Sequence, residues 1–168
     1  MELRLALPTD ALAVAQIHVR AWQAGYRGLL PAGYLDGLRA EDRAARYTFG
    51  RAGGPRTTVA ITGGAAGGII GGTAGGTIVG FATIHQAELA ALHVDPDAWR
   101  QGVGSALIAR ARADLAAAGV AEAHLWLLAG NTRAQQLYER DGWTTDGTRR
   151  TDTVWGVEVD EIEYRRRL

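Results

Sequence analysis

The segment Leu92-His93-Val94-Asp95-Pro96-Asp97-Ala98-Trp99-Arg100-Gln101-Gly102-Val103-Gly104-Ser105-Ala106-Leu107 carries most of what this chain reveals about its fold. It closes a run from Glu88 whose apolar members, Leu89 and Leu92 to Val94 around His93, suit a buried strand. Asp95-Pro96-Asp97 breaks that strand. Beyond it, Val103, Leu107, Ile108, Ala111 and Leu115 fall on one helical stripe, which predicts a helix to about Ala118 with Gly119 as its stop. Two glycines thus open a helix directly after a strand. Glycine lets the backbone approach a ligand closely, and the free N–H groups of a helix start attract anions. Two familiar phosphate motifs are excluded. A dinucleotide fingerprint needs a third glycine where Leu107 stands, and a Walker A loop needs Gly-Lys-Ser/Thr.

Working outward, Glu2 to Ala6 reads as a short strand, and Pro8-Thr9-Asp10 as a stop followed by helix-capping residues. A helix follows to about Ala24, with Leu12, Ala15, Val19 and Trp22 along one face. Gly25 to Pro31 is a loop, and Ala32 to Tyr47 a second, polar-faced helix. On the other side of the glycine turn, Ala121 to Leu128 is a strand and Asn131 opens a short helix ending near Asp141. Two strands, about Arg149–Val157 and Glu161–Arg166, close the chain. No linker divides residues 1–168, so they read as one mixed α/β domain.

Between Thr57 and Ile84 the chain carries no charge over 28 positions, long enough to span a bilayer. Glycine pairs recur every four residues from Gly63-Gly64 to Gly75-Gly76, the small-residue spacing of packed membrane helices. Large apolar side chains are few, however, and each glycine costs a helix about 1 kcal/mol relative to alanine. The two ends favour strands. Thr58-Val59-Ala60-Ile61-Thr62 alternates, and Thr77 to Ile84 is rich in β-branched and aromatic residues. A hairpin whose connection, 63–76, is a slack glycine-rich loop is the preferred reading over a membrane helix through 57–84.

Composition removes other classes. Apolar residues make up 47% and charged residues 21%, and formal net charge is zero, so no global field favours nucleic acid or an anionic membrane. All the side-chain cations apart from histidine are arginine. With no cysteine there are no disulfides, thiolate metal sites or cysteine nucleophiles. His18, His85, His93 and His124 form no short-spaced ligand pair, so no metal is expected. The N-terminus shows neither a long apolar stretch nor a cleavage-like site, which makes the cytoplasm the expected location.

A second motif is Asn131-Thr132-Arg133-Ala134-Gln135-Gln136-Leu137-Tyr138-Glu139-Arg140-Asp141-Gly142-Trp143. Asn131 suits an N-cap, and Tyr138 shares a helical face with Ala134 and Leu137, which on its own fits a core tyrosine. Taken with the first segment, the order is strand, Val-x-Pro, Gly-x-Gly, helix, strand, then Asn-x-x-Ala-x-x-x-Tyr-x-x-x-Gly-Trp. It resembles the GNAT superfamily of acetyl-CoA-dependent N-acetyltransferases. The resemblance runs from Arg4-Leu5-Ala6 to Glu163-Tyr164-Arg165, with its core motifs between Glu88 and Trp143.

That resemblance implies a mixed, mostly antiparallel sheet of about seven strands flanked by about four helices. It implies acetyl-CoA as cosubstrate, no metal, and an amine acceptor on a small molecule or protein. The loop Gln101, Gly102, Val103, Gly104 and Ser105 is then expected to hold the coenzyme pyrophosphate through backbone amides. Leu92 and Val94 would give main-chain hydrogen bonds to the pantetheine arm, Asn131 would lie near that arm, and Tyr138 would direct its hydroxyl at the thioester sulfur. The sequence departs from the pattern in two places. The connection 63–76 is longer and more glycine-rich than the family's, which suits a slack loop better than a wall of the substrate site, since its glycines carry no side chains for recognition. Where the family has Gln or Arg, three residues before the first glycine, Trp99 stands, which leaves Arg100 or Gln101 to supply the polar contact.

An alkylammonium, with a pKa near 10, must lose a proton before it attacks a thioester. Tyr138 is the candidate general acid for the departing thiolate, and Glu88, the acidic residue of the strand before the glycine loop, is the candidate base. A solvent-facing strand-start glutamate is the competing reading of Glu88, and His93 reads as a packed surface histidine. Trp22, Tyr26 and Tyr34 surround the loop after the first helix and are the candidate acceptor contacts, although Trp22 also suits the core. A coenzyme-binding module without turnover remains the alternative to an enzyme. The sequence leaves the oligomeric state, a homodimer included, open.

Overall fold

A computed structural model of the chain describes residues 1–63 and 76–168. The glycine-rich connection expected over 63–76 therefore lies almost wholly outside the described residues. The described chain forms seven strands: β1 (Glu2–Leu5), β2 (Arg56–Thr62), β3 (Thr77–His85), β4 (Glu88–Val94), β5 (Glu122–Leu128), β6 (Arg149–Val154) and β7 (Val157–Arg167). Five helices accompany them: α1 (Ala11–Gly25), α2 (Ala32–Asp36), α3 (Ala40–Ala44), α4 (Val103–Ala117) and α5 (Thr132–Arg140). One sheet takes the order β1-β2-β3-β4-β5-β7-β6, and every neighbouring pair is antiparallel except β4 and β5.

The ends of the uncharged stretch are strands, with Thr62 opposite Thr77 and Thr58 opposite Ala82. A continuous membrane helix through 57–84 is thereby ruled out. No helix among the described residues is long and apolar enough to cross a membrane. The single helix expected from Ala32 to Tyr47 is instead two, α2 and α3. Gly37 turns the chain, its N–H bonding back to the Gly33 carbonyl at 3.1 Å, and Arg39 is extended, so the helix cannot continue. Leu12, expected on the buried face of α1, is exposed; Val14, Ile17, His18 and Ala21 join Ala15, Val19 and Trp22 as the buried set.

Helices cover both faces. On one, α4 buries Val103, Leu107, Ile108, Ala111 and Leu115 against Leu89, Leu125 and Tyr164 of the sheet, and Tyr138 and Trp143 extend that cluster. Each large apolar side chain so buried contributes roughly 1.5–3 kcal/mol. On the other face α1 packs Val14 and Ile17 onto Val59 and Phe81. A smaller cluster of Trp22, Leu30, Leu35 and Val159 joins α1 and α2 to β7. Arg4 reaches from β1 to the fully buried Asp10, 2.6 Å away, and anchors the start of α1. Burial pushes the Asp10 carboxyl up, but the Arg4 and Leu7 N–H hydrogen bonds outweigh it and hold it below the usual carboxylate range.

Candidate active site

The sheet opens between its two parallel strands. β4 and β5 pair only where Glu88 stands opposite His124, whose N–H donates to the Ala87 carbonyl at 3.1 Å. From Leu89 onward that edge of β4 has no strand partner among the described residues. Which main-chain groups face the gap follows from the other edge. The Asp95 N–H donates to the Val79 carbonyl of the neighbouring strand at 2.8 Å. Hydrogen-bonded positions alternate along an antiparallel pair, so His93 and Ala91 also face β3, whereas Leu92 and Val94 turn their N–H and C=O groups into the gap. Backbone polar groups left on an open inner edge need partners. A bulge displaces Ala90, between the Thr83–Ala91 and Ile84–Leu89 pairs, so the alternation of faces resets before Glu88.

The gap widens into a cavity of about 1350 Å³. Drug-sized ligand sites run from about 300 to 1,000 Å³, so there is room for two substrates together. One end is the glycine turn. Its first part, a single 3₁₀ turn from Pro96 to Ala98, is capped by the Asp95 side chain, and Arg20 of α1 braces Asp95 and Asp97 at 3.0 and 2.8 Å. Arg100 and Gly102 both have positive φ, 63° and 81°. The first bond of α4 runs from the Ala106 N–H to the Gly102 carbonyl at 3.0 Å, and no side chain caps the helix. The amides of Val103, Gly104 and Ser105 therefore have no acceptor further back in the helix, which is the arrangement that receives anions. Gln101 folds back, its Nε2 donating to the Asp97 carbonyl at 2.9 Å, and Arg100 is exposed.

Asn131 caps α5, its side chain accepting from the Ala134 N–H at 3.2 Å, and also lines the cavity. Tyr138 is buried, its ring edge-on to Trp143 at 6.0 Å. Its hydroxyl has no hydrogen-bond partner among the described residues, and its ring faces the same cavity as Glu88. Burial, with Tyr26 nearby, pushes its pKa well above the ordinary tyrosine value, so it stays protonated. Glu88 alternates with the core residue Leu89 and lies with His124 and Trp126 on the face turned from α4.

Trp22 is buried and stacks on Trp155 at 4.3 Å; its Nε1 has no hydrogen-bond partner among the described residues. Tyr26 lines the cavity 4.9 Å from Trp22. Tyr34 does not. Its hydroxyl donates to the Trp155 carbonyl at 3.1 Å and pins the β6–β7 turn. The loop after α1 reaches the end of β5, where the Leu29 side chain lies beside Gly130, just before Asn131. His93 is half-buried and faces the cavity, not the outer surface. It stacks on His18 at 4.3 Å, lines the cavity, and burial lowers its pKa to about 4.

The sequence did not single out several further cavity residues. Glu161 of β7 is buried and held by Arg150 Nε at 2.7 Å; Arg150 lies over Trp126; Trp155 crosses from the β6–β7 turn to α1. Alternation of Val159, Glu161 and Glu163 along β7 was the one available signal.

A mixed sheet split between two parallel strands, with a glycine helix start at the mouth and Tyr138 beside the gap, is the arrangement that the resemblance to acetyl-CoA-dependent acyltransferases implies. The sequence matches the model of the Acetyltransferase (GNAT) family over residues 20–143, and the chain belongs to that family. The probable N-acetyltransferase Rv2775 of Mycobacterium tuberculosis is 28% identical over 98% of this chain and 92% of its own length. Among solved structures, the GCN5-related N-acetyltransferase of Rhodopseudomonas palustris superposes with a TM-score of 0.72 at 22% identity, covering 99% of this chain and 95% of that one. The PaiA N-acetyltransferase of Thermoplasma acidophilum, in complex with coenzyme A, gives 0.69 at 14% identity, covering 99% and 98%.

Proposed function

We propose that residues 1–168 form a single N-acetyltransferase domain that moves an acetyl group from acetyl-CoA to an amine of a small molecule or protein by direct attack. The observation that carries this reading is the shared cavity. The open edge of β4, the uncapped start of α4 and Tyr138 all border it. The coenzyme complex of the PaiA relative supports the same ligand here.

The residues divide the work as follows. Amides from Gln101 to Ser105 receive the pyrophosphate, and the main chain of Leu92 and Val94 holds the pantetheine arm. The Val94 carbonyl accepts the Trp99 indole N–H at 2.9 Å, so the contacts left over are the Val94 N–H and both groups of Leu92. Asn131 borders the arm. Glu88, directly or through water, takes the proton of the ammonium, and Tyr138 donates its hydroxyl proton to the leaving thiolate. Glu161 is the poorer base because Arg150 already occupies it. Holding amine and carbonyl together supplies much of the rate. Trp22 and Tyr26 wall the acceptor end. Neither step calls on a metal, and the cytoplasm is the expected setting.

A panel of amines incubated with acetyl-CoA, followed by free thiol release, tests the proposal. Amine-dependent release supports it. Coenzyme binding without turnover on any amine identifies a binding module instead, and no coenzyme binding rejects the reading altogether.

A further inference from the structure

We infer that Arg133, held on the face of Trp99, is the side chain that binds the coenzyme pyrophosphate, in place of the polar residue missing from the glycine turn. The inference rests on the coenzyme reading above.

Trp99 fills the loop position where the family resemblance calls for Gln or Arg, and an indole cannot pair with a phosphate charge. Its ring is nevertheless fixed, because its Nε1 donates to the Val94 carbonyl at 2.9 Å. The Arg133 guanidinium carbon lies 3.5 Å above the centroid of that ring. Both residues line the cavity beside Gly102 and Gly104. The cation thus enters from the first turn of α5, two residues after Asn131, rather than from the loop itself.

Arg133 is also uncommitted. Among the described residues it makes no ion pair and no side-chain hydrogen bond, and residues 64–75 contain no acidic residue that could pair with it. Of the other arginines that line the cavity, Arg150 is engaged with Glu161 and Arg140 with the Gln136 carbonyl. Arg100 also makes no ion pair or side-chain hydrogen bond among the described residues, but it is exposed and no aromatic ring holds it, whereas Trp99 fixes Arg133. Stacking on an indole uses the flat face of a guanidinium and leaves its edge N–H donors free, so the fork can still meet two phosphate oxygens. The ring also restricts a long side chain beforehand, which reduces the entropy lost on binding. Backbone amides provide only partial charges; Arg133 adds a full one.

Calorimetry with coenzyme A on the full chain, its Arg133→Gln, Arg133→Lys and Trp99→Leu variants, and the double variant tests this. Arg133→Gln should weaken coenzyme A by roughly tenfold or more and flatten the dependence of affinity on salt. Arg133→Lys should recover only part, since a point charge replaces the fork. In the Trp99→Leu background the further loss from Arg133→Gln should shrink, because the cation is no longer placed. Dephospho-coenzyme A keeps the pyrophosphate and should lose the same factor. If it is insensitive to Arg133→Gln while coenzyme A is weakened, the contact is to the ribose phosphate and the assignment is overturned. Unchanged coenzyme A affinity in a folded Arg133→Gln protein overturns it as well. Absence of coenzyme binding by the parent would instead defeat the proposed function itself.

Discussion

Replacing Tyr138 by phenylalanine removes one oxygen atom from the centre of the proposed site, and the structure separates what that oxygen does from what the ring does. The ring is buried, packs edge-on to Trp143 and belongs to the main core cluster. Phenylalanine retains all of that. The hydroxyl has no protein hydrogen bond among the described residues, so its loss leaves no partner stranded and stability should change by less than about 0.5 kcal/mol. General acid catalysis contributes roughly 10²–10⁴-fold. Two features place Tyr138 at the lower end. A thiolate leaves readily without full protonation, since a thiol has a pKa of about 8.5, and burial makes the tyrosine a weaker acid than usual. A fall of about 10² in kcat, or about 2.7 kcal/mol, follows, with coenzyme affinity nearly unchanged because the proton is needed only as the sulfur departs. Thiol release under saturating coenzyme gives kcat, calorimetry gives affinity, and thermal denaturation checks the fold. Parent-like turnover across the pH range would show that Tyr138 is a core residue alone. Equal losses in binding and turnover would show that it shapes the coenzyme wall rather than donating a proton.

At the glycine turn, Gly104→Ala should weaken coenzyme A only mildly, because its Cβ lies 3.2 Å from the flexible Leu137 tip. Gly102→Ala must adopt φ 81° and should cost about 1–2 kcal/mol in stability. Gly104→Glu adds charge repulsion and should nearly abolish binding; calorimetry and melting curves separate the three. Replacing Asp10 by alanine leaves Arg4 facing a buried void and should destabilise by about 3 kcal/mol, read from urea denaturation. His18 and His93 are held neutral by burial, His18 further by His93 and Arg43, so their folded pKa values lie below the unfolded value. Between about pH 6.5 and 4 the unfolded chain binds more protons, and stability should fall as pH drops through that window, by roughly 1–3 kcal/mol from His93. His93→Gln should reduce that slope, and an identical pH profile in the variant would refute the burial argument.

Most elements were legible because their signals are local. Strand β4, the glycine turn, α4 and α5 follow from period, capping and breakers within a few residues of each other, and their limits agree with the sequence reading to within about two residues. The break between α2 and α3 was missed although Gly37 marks it, because a polar helical pattern extends across it. Leu12 was misplaced because a stripe through Trp22 can be drawn on either side of α1, and only the sheet decides which side is covered.

The site divides in the same way. Gly102, Gly104, Asn131 and Tyr138 could be named from spacing, since each acts within its own turn or helix. His93, Glu161, Trp155 and Arg133 could not, because their surroundings come from distant strands and helices. His93 lies inside because α1 carries His18 onto it, and Trp155 lies inside because Tyr34 pins its carbonyl from the other half of the chain. Trp99 looked like a defect in a phosphate loop until α5 laid Arg133 across its ring. By itself the sequence determined the order of elements and the backbone shape of the turn, which depend on propensity and on glycine's freedom at positive φ. Only the tertiary structure decided where β4 and β5 separate and which charges meet there, because a gap between parallel strands depends on how far a long crossover carries one strand from the other.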